Sequence, residues 1–258
     1  MMIQNDAELR QYIPNALVTV SGEQTLYDKL QGDLQLSEAW LARTFGVVES
    51  TPTACKVLAT DAFLRAVPSL DLVLTPNGFG IVSNNTIAPA SKDRVDRLLS
   101  SLESNRDYAI EQLLHELLQQ PEWKETPQGR YFLSTLYQTP LSLPAELRKQ
   151  HALDVFQQTH AQLVLIEAEL AEKFISREVY AKLRADIGNP DFADLVQPLQ
   201  AIELQLLNGK PLPYKQLIAL VDYIRKSELF PEWQTSQTAE LYKSHAFENK
   251  KDSPGYWF

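Results

Sequence analysis

Residues 91–121 read SKDRVDRLLSSLESNRDYAIEQLLHELLQQP, and this stretch decides the fold class. Its apolar residues recur every three or four positions, or at a multiple of that spacing: Val95, Leu98, Leu102, Ala109, Leu113 and Leu117. This is the pattern of a helix with one buried face. Ser91 is a suitable N-cap, Asp93 adds a favourable charge to the first turn, and Pro121 cannot continue a helix. The stretch therefore predicts one long helix over residues 92–119.

Helical periodicity covers most of the remaining chain. It predicts a helix over residues 23–45, with Gly32 as a candidate break, and a second one that starts at Pro52 and ends before Pro68. Four helices are predicted after the long one: residues 145–174, 177–187, 192–207 and 214–226. The predicted fold class is mainly α, a multi-helix bundle with one β-hairpin before the long helix and an extended C-terminal arm.

Prolines separate the predicted helices into two groups. The stretch YQTPLSLP, which contains Pro140 and Pro144, has the composition of a linker. We therefore expect an N-terminal helical domain over residues 1–140 and a C-terminal helical domain over residues 141–258. Within the second domain, the polar residues from about 234 to 258 are expected to form an extended tail.

Charge limits the classes of partner. The 258 residues include 24 lysines and arginines and 33 aspartates and glutamates, which gives a formal net charge of −9 at pH 7. Affinity for nucleic acid depends largely on lysine and arginine contacts to phosphate, so a surface this acidic is not expected to bind DNA specifically. An acidic surface beside passing DNA stays compatible with this charge.

Cysteine content and apolar runs indicate the compartment. Cys55 is the single cysteine, which excludes an intrachain disulfide. The first residues, MMIQNDAELRQYI, lack the basic and apolar regions of a signal peptide. No apolar run approaches the roughly 20 residues that span a bilayer. We expect a protein made in the cytoplasm without membrane association.

A turn motif lies between two apolar runs before the long helix. Thr75-Pro76-Asn77-Gly78 has the residue order of a type I turn followed by a left-handed residue. Residues 72–74 and 79–82 flank it and are largely apolar, so the pattern predicts a β-hairpin over about residues 71–83. Gly78-Phe79-Gly80 is not a phosphate loop, because it has neither the Walker nor the dinucleotide spacing and lies well before the helix.

The triplet Pro-Glu-Trp occurs twice, each time after a predicted helix. Pro121-Glu122-Trp123 follows the long helix, and Pro231-Glu232-Trp233 follows the last one. In each case the proline ends the helix, and the tryptophan is free to fold back onto it. The flanking residues show no convincing similarity, so duplication and coincidence both account for the repeat.

No group of residues has the spacing of a catalytic or metal site. His115-Glu116 begins the HExxH pattern, but Gln119 replaces the second zinc ligand. Cys55 lies in an apolar helical stretch and is predicted to be a small buried residue. Three glutamates on one predicted helix are interpreted as a solvated face: Glu167, Glu169 and Glu172. We predict no enzymatic activity, no cofactor and no metal.

Two segments are candidates for contacts with other chains. A lone hairpin is marginal in water and needs a surface to pack on, either its own helices or another subunit whose sheet its edges extend. Its candidate contact residues are Pro76, Asn77, Gly78 and Phe79. The second segment contains three aromatic residues that either enter the core or anchor a neighbour: Tyr256, Trp257 and Phe258. We favour the anchor, because aromatic side chains dominate interface energetics.

A family resemblance rests on four features of the sequence. These are DLVLTPNGFGIVSNNTIAPASKDRVDRLLSSLE at residues 71–103, an upstream helical pair, the Pro-Glu-Trp element and the terminal GYWF. Together they resemble a family of uncharacterised proteins encoded among bacteriophage and prophage structural genes, most closely over residues 70–123. The resemblance implies a virion protein, a head–tail connector or adaptor at the portal or neck. It further implies a closed ring of about twelve copies around the DNA channel.

The resemblance also implies partners and leaves alternatives open. The implied partners are copies of the chain, the portal protein and neighbouring neck and tail proteins, while DNA passes without specific binding. Another neck ring protein or a tail terminator is the alternative within the virion. Outside the virion, the alternative is a cytoplasmic helical adaptor that binds a peptide or regulator between its two halves. Neighbouring genes for portal and capsid favour the first class, and regulatory genes favour the second.

Overall fold

The computed structural model describes residues 2–13, 24–47, 49–70, 72–75, 78–81, 91–148 and 151–243. Most of these residues are helical, so the prediction of a mainly α fold is confirmed. The chain divides into two compact units, Met1–Gln158 and Thr159–Phe258, which we call the N-terminal and C-terminal units. None of the described helices has the length and apolar character of a membrane-spanning helix.

The N-terminal unit contains helices and one pair of strands. Its elements in chain order are α1 Asp6–Leu9, α2 Leu26–Phe45, α3 Pro52–Ala66, β1 Leu72–Thr75, β2 Gly78–Ile81, α4 Lys92–Leu117, α5 Pro121–Lys124, α6 Pro127–Phe132 and α7 Ala145–Arg148. Helix α8 follows and crosses from this unit into the next. The C-terminal elements are α8 Ala152–Leu170, α9 Arg177–Ala185, α10 Ala193–Leu207, α11 Tyr214–Lys226, α12 Pro231–Gln234 and α13 Gln237–Glu240.

Local sequence explains where the helices of the N-terminal unit begin and end. The Thr25 hydroxyl caps α2 together with the Asp28 carboxylate, and Gly46 ends this helix in the left-handed conformation with φ 71°. Helix α3 starts with Pro52, while the Thr51 hydroxyl accepts a hydrogen bond from the Ala54 backbone. Gly32 lies within α2 and does not interrupt it.

Helix α3 contacts both α2 and α4, and this three-helix layer contains much of the core of the N-terminal unit. Aromatic rings extend the core beyond it. Phe132 stacks on Phe45 and on Phe156, with 5.6 Å between ring centroids in each pair. Apolar side chains of α2, α3 and α4 are fully or almost fully buried: Leu30, Leu34, Leu41, Val57, Leu58, Ala62, Ile110, Leu113 and Leu114.

Strands β1 and β2 pair antiparallel before α4. Leu72 is opposite Ile81, and Thr75 is opposite Gly78. The sheet formed by the described residues consists of these two strands. The intervening turn positions, Pro76 and Asn77, lie outside the described residues.

We expected a domain boundary at residue 140, in the proline-containing stretch. The boundary between the two compact units lies later in the chain. Residues 139–142 pack on α4 instead of linking two domains. The Thr139 hydroxyl donates to Glu111 Oε1 at 2.7 Å, and the Leu141 backbone N–H donates to Glu111 Oε2 at 3.2 Å. The division falls within α8, between Gln158 and Thr159.

The single helix expected over residues 145–174 is interrupted in the structure. Helices α7 and α8 are separate, and His151, just before α8, has a φ of 67° that a right-handed helix does not allow. At its other end, α8 widens into a π-helical turn, Ala171–Ile175. No proline or glycine occurs between residues 145 and 174, so the usual breaker signal is missing.

We expected an extended tail from about residue 234, but the first residues of this segment are folded. Helix α13 packs on the π-helical turn, where the Thr238 hydroxyl donates to the Ala171 carbonyl oxygen at 2.8 Å. The Tyr242 hydroxyl donates to the Lys173 carbonyl oxygen, also at 2.8 Å. The chain is therefore folded up to at least residue 242, and residues 244–258 lie outside the described part.

The two Pro-Glu-Trp triplets form the same local structure, which we call the tryptophan module. Each proline starts a short helix, and each indole N–H reaches the end of an earlier helix. Trp123 Nε1 donates to the Phe45 carbonyl oxygen at 2.6 Å, and Trp233 Nε1 donates to the Phe174 carbonyl oxygen at 3.2 Å.

The similarity extends to a hydroxyl residue three positions after each tryptophan. Thr126 Oγ1 donates to the Trp123 carbonyl oxygen, and Ser236 Oγ donates to the Trp233 carbonyl oxygen, both at 2.7 Å. Each hydroxyl oxygen also caps the next short helix by accepting a backbone hydrogen bond. The two modules therefore share a hydrogen-bonding pattern as well as the triplet.

Candidate functional site

The structure describes part of one predicted contact segment and none of the other. Gly78 and Phe79 are the first residues of β2, opposite Thr75 and Leu74. Pro76 and Asn77 are outside the described residues, and so are the aromatic residues at 256–258. Contacts by either segment therefore stay predictions.

A groove beside Trp123 is the clearest candidate binding surface in the N-terminal unit. It has a volume of about 280 Å³ and lies where the end of α2, the start of α3, the end of α4 and the tryptophan module converge. Its floor is apolar: Val47, Leu113, Leu117 and Trp123 are all at least nine-tenths buried. We call it the Trp123 groove.

Carboxylates form the rim of the Trp123 groove. Glu49, Glu116 and Glu122 line it and are exposed, and none of its described lining residues is a lysine or an arginine. The Glu116 carboxylate accepts a hydrogen bond from the Thr53 hydroxyl at 2.6 Å, which orients it at the start of α3. Three negative charges around an apolar floor favour a ligand that carries positive charge beside an apolar group.

Other cavities differ from the Trp123 groove in charge. A cavity of about 410 Å³ in the C-terminal unit has a balanced lining, with Glu172 and Glu178 beside Lys173 and Arg177. A cavity of about 390 Å³ next to Trp40 is lined by Arg43 and by no carboxylate among the described residues. Three rim carboxylates without a lysine or arginine therefore distinguish the Trp123 groove from these two cavities.

A buried ionic network connects the three packed helices of the N-terminal unit. The Asp61 carboxylate, on α3, accepts hydrogen bonds from Ser37 Oγ at 2.7 Å, Arg65 Nε at 2.7 Å and Arg106 Nη1 at 3.0 Å. Asp61 is 1% exposed. Because these donors come from α2, α3 and α4, the network fixes how the helices align, which is a structural role.

A second buried polar cluster connects α8, α9 and α10. The Tyr180 hydroxyl donates to Glu203 Oε1 at 3.1 Å, and Arg184 Nη1 lies 3.4 Å from Glu167 Oε2. Burial raises the pKa of Glu203 well above its usual value, and the nearby charge of Glu167 raises it further. The same burial raises the pKa of the Tyr180 hydroxyl.

This cluster corrects the interpretation of Glu167 as part of a solvated helix face. Glu167 is 2% exposed, whereas Glu169 and Glu172 are exposed as expected. The difference arises from Arg184, a residue 17 positions away whose guanidinium approaches the buried carboxylate. Local sequence spacing does not reveal such a partner. Because Glu203 has no exposed surface either, we assign the cluster to packing.

The histidine and cysteine side chains with possible chemical roles do not form a common site among the described residues. His115 is exposed beside Glu111, and Cys55 is buried, as we predicted. Burial lowers the pKa of His160. Within the part of the chain that the structure describes, no three histidines, cysteines or carboxylates are grouped so that they could hold a metal ion.

Sequence reasoning did not find the Trp123 groove as a site. Glu49 is distant in sequence from Glu116 and Glu122, and neither the His115-Glu116 pair nor the Pro-Glu-Trp triplet indicated that the three carboxylates share a rim. The sequence signal nearest to the groove was the Pro-Glu-Trp triplet, which contains its lining residues Glu122 and Trp123.

Comparison with known proteins gives one family match. Residues 19–132 match the model of a family of unknown function (DUF6712). The matched region contains the hairpin, the Trp123 groove and the Asp61 network. Searches of curated proteins and of solved structures give no match.

Proposed function

We propose that this chain is a structural subunit of a bacteriophage head–tail connector, or adaptor, located at the portal or neck of the virion and without enzymatic activity. The observation that carries the proposal is the β1–β2 pair in an otherwise helical unit. Among the described residues these strands pair only with each other. In the proposed assembly, a strand of another chain adds to an outer edge of this pair.

An edge of this kind supports assembly into a ring. If a hairpin adds to a different surface of the next copy, the contact is heterologous, and repeated contacts close into a ring when the rotation permits. In the chain the two strands lie between α3 and α4, and both of these helices belong to the packed layer that the Asp61 network connects. The net charge of −9 disfavours binding of DNA that passes through the ring.

The resemblance over residues 70–123 supports the same role. It includes both strands and the start and full length of α4, the elements that carry the structural argument. The matched family model covers these residues too, although its description names no function. Ring partners are then copies of this chain, and the portal and neighbouring neck or tail proteins bind the ring.

Assembly of the purified chain tests the proposal. We expect light scattering after gel filtration and electron microscopy to show rings of about twelve copies. A variant with Leu74→Lys and Phe79→Lys places like charges at directly opposed strand positions and should prevent assembly, because such pairs destabilise strand pairing. Leu36→Lys, at a side chain 61% exposed on α2, is the matched control and should assemble normally.

Two results would overturn the proposal together: a chain that is monomeric at all concentrations, and its absence from purified virions. Localising the chain in the particle separates a connector from another neck ring or a tail terminator. A monomer that binds a peptide or regulator supports the adaptor alternative. Normal assembly of a chain lacking residues 254–258 would contradict the contact predicted for Tyr256, Trp257 and Phe258.

A further inference from the structure

We propose that the Trp123 groove binds residues 247–251 of a second copy of this chain. The inference rests on the proposed function, since it supplies one of the contacts between neighbouring subunits. It assigns a receptor surface, a ligand segment and a direction of binding between copies.

The size and floor of the groove fit one or two side chains. Its volume of about 280 Å³ is just below the range of roughly 300–1,000 Å³ that is typical of pockets for drug-sized molecules. The floor contains Trp123, whose indole N–H is already bonded to the Phe45 carbonyl oxygen, so the ring is fixed in place. A rigid aromatic floor suits an aromatic side chain from the ligand.

The rim selects for positive charge. Glu49, Glu116 and Glu122 add three negative charges, and no basic residue among those described on the lining offsets them. The three carboxylates are exposed and therefore accessible to a ligand. A lysine can lay its aliphatic stem along the apolar wall while its ammonium group faces the carboxylates.

Residues 247–251 have the required chemistry. They read FENKK, so Phe247 lies close in sequence to Lys250 and Lys251, and Glu248 is the single carboxylate. They follow α13, the last helix of the described chain. Two other adjacent basic pairs, Arg148-Lys149 and Arg225-Lys226, occur at the ends of α7 and α11.

Peptide binding provides the first test. The probe is a fluorescently labelled peptide of residues 244–253, SHAFENKKDS, and the receptor is the full chain with Phe247→Ala, Lys250→Ala and Lys251→Ala, called the segment variant. We expect saturable binding that weakens as salt is added. Adding Glu49→Gln, Glu116→Gln and Glu122→Gln to the receptor should weaken binding about tenfold, because Lys250 and Lys251 of the peptide lose their carboxylate partners.

A matched control separates the groove from general electrostatics. Asp93→Asn, Asp96→Asn and Glu146→Gln remove the same charge at exposed positions that neither line the groove nor adjoin a lining residue. Binding to this receptor should be unchanged, and thermal melting of all receptors should agree. No binding of the peptide, or equal weakening by both sets of substitutions, overturns the proposal.

Mixing two full-length variants tests whether the segment comes from a second copy. One is the segment variant, and the other carries the three groove substitutions with an intact segment. The intact segment of the second should occupy the intact groove of the first, so the mixture should form mixed dimers that neither variant forms alone. No association in the mixture overturns the proposal.

These experiments distinguish failure of this inference from failure of the proposed function. If the chain with the three groove substitutions still forms rings, the subunits contact each other through other surfaces, and the groove assignment is overturned. Mixed dimers from a chain that is absent from virions support the groove assignment and overturn the connector role.

Discussion

The indole nitrogen of Trp123 donates a hydrogen bond to the carbonyl oxygen of Phe45, 2.6 Å away and 78 residues earlier in the chain. Phe45 is the last residue of α2, where backbone carbonyls have no partner within the helix. The bond therefore satisfies a helix end and also attaches the tryptophan module to it. Trp233 and Phe174 repeat this relationship in the C-terminal unit.

Replacing Trp123 with phenylalanine should destabilise the N-terminal unit by about 2 kcal/mol. The substitution leaves the Phe45 carbonyl without its donor and opens a small cavity. Urea unfolding monitored by circular dichroism measures the loss. Trp40→Phe, at a half-buried side chain that contacts the Phe45 ring, is the control and should cost less than about 1 kcal/mol. Equal losses would contradict the importance of this hydrogen bond.

Two glycines should respond in opposite directions to alanine. A Cβ at Gly129 would lie 2.1 Å from the Trp123 carbonyl oxygen, so Gly129→Ala must displace the backbone of the module and lower the melting temperature. Gly32 is within α2 and has no atom within 4 Å of an added Cβ. Gly32→Ala should therefore stabilise the protein by about 0.5–1 kcal/mol, through helix propensity and a less flexible unfolded chain. Parallel melting curves of both variants test the pair.

Asp61→Asn should cost about 3 kcal/mol. It removes the charge that neutralises the part-buried Arg106 guanidinium, and breaking one side of a buried ion pair leaves the other uncompensated. Asp222→Asn, in an exposed ion pair with Arg225, should change the free energy of unfolding by less than about 1 kcal/mol. If Asp61→Asn proved as mild as this control, the proposed role of the network in fixing the three helices would be wrong.

Glu203 should make stability fall as the pH rises. Its pKa is raised in the folded state, so the folded chain holds this proton where the unfolded chain has lost it. Glu203 therefore makes its full contribution to the free energy of unfolding below its pKa in the unfolded chain, about 4.3. This contribution is lost as the pH rises toward its pKa in the folded chain. Glu203→Gln should match the original chain near pH 4 and exceed its melting temperature at pH 8. Glu169→Gln, at an exposed carboxylate, should show no such pH-dependent gain.

Sequence predicted the helices whose ends carry strong local signals. Helix α11 has the expected bounds, and α3 starts at Pro52 as expected, because proline and capping residues act within one turn. The break before α8 was missed because its left-handed residue is His151, where glycine is the usual signal. Helix α13 was missed because the segment after residue 234 is polar, although Ser236 caps it and the surface of the π-helical turn holds it.

The candidate site was harder to predict than the fold for a physical reason. The rim of the Trp123 groove brings Glu49 together with Glu116 and Glu122 from a later part of the chain, and this proximity depends on tertiary packing. The burial of Glu167 likewise depends on Arg184, on a different helix. Amphipathic periodicity indicates which face of a helix is covered, but it does not identify the side chains that cover it.

The tryptophan modules also equip each unit with an intrinsic fluorescent reporter. The chain contains four tryptophans, and Trp123 and Trp233 are the two that occupy equivalent buried positions, 5% and 2% exposed. If Trp40 and Trp257 are replaced, a further substitution of Trp123 or Trp233 leaves a single tryptophan. The fluorescence of that chain then reports on one unit alone. The order in which the two units melt is thereby accessible without an added label, because an indole that becomes exposed to water shifts its emission to longer wavelength.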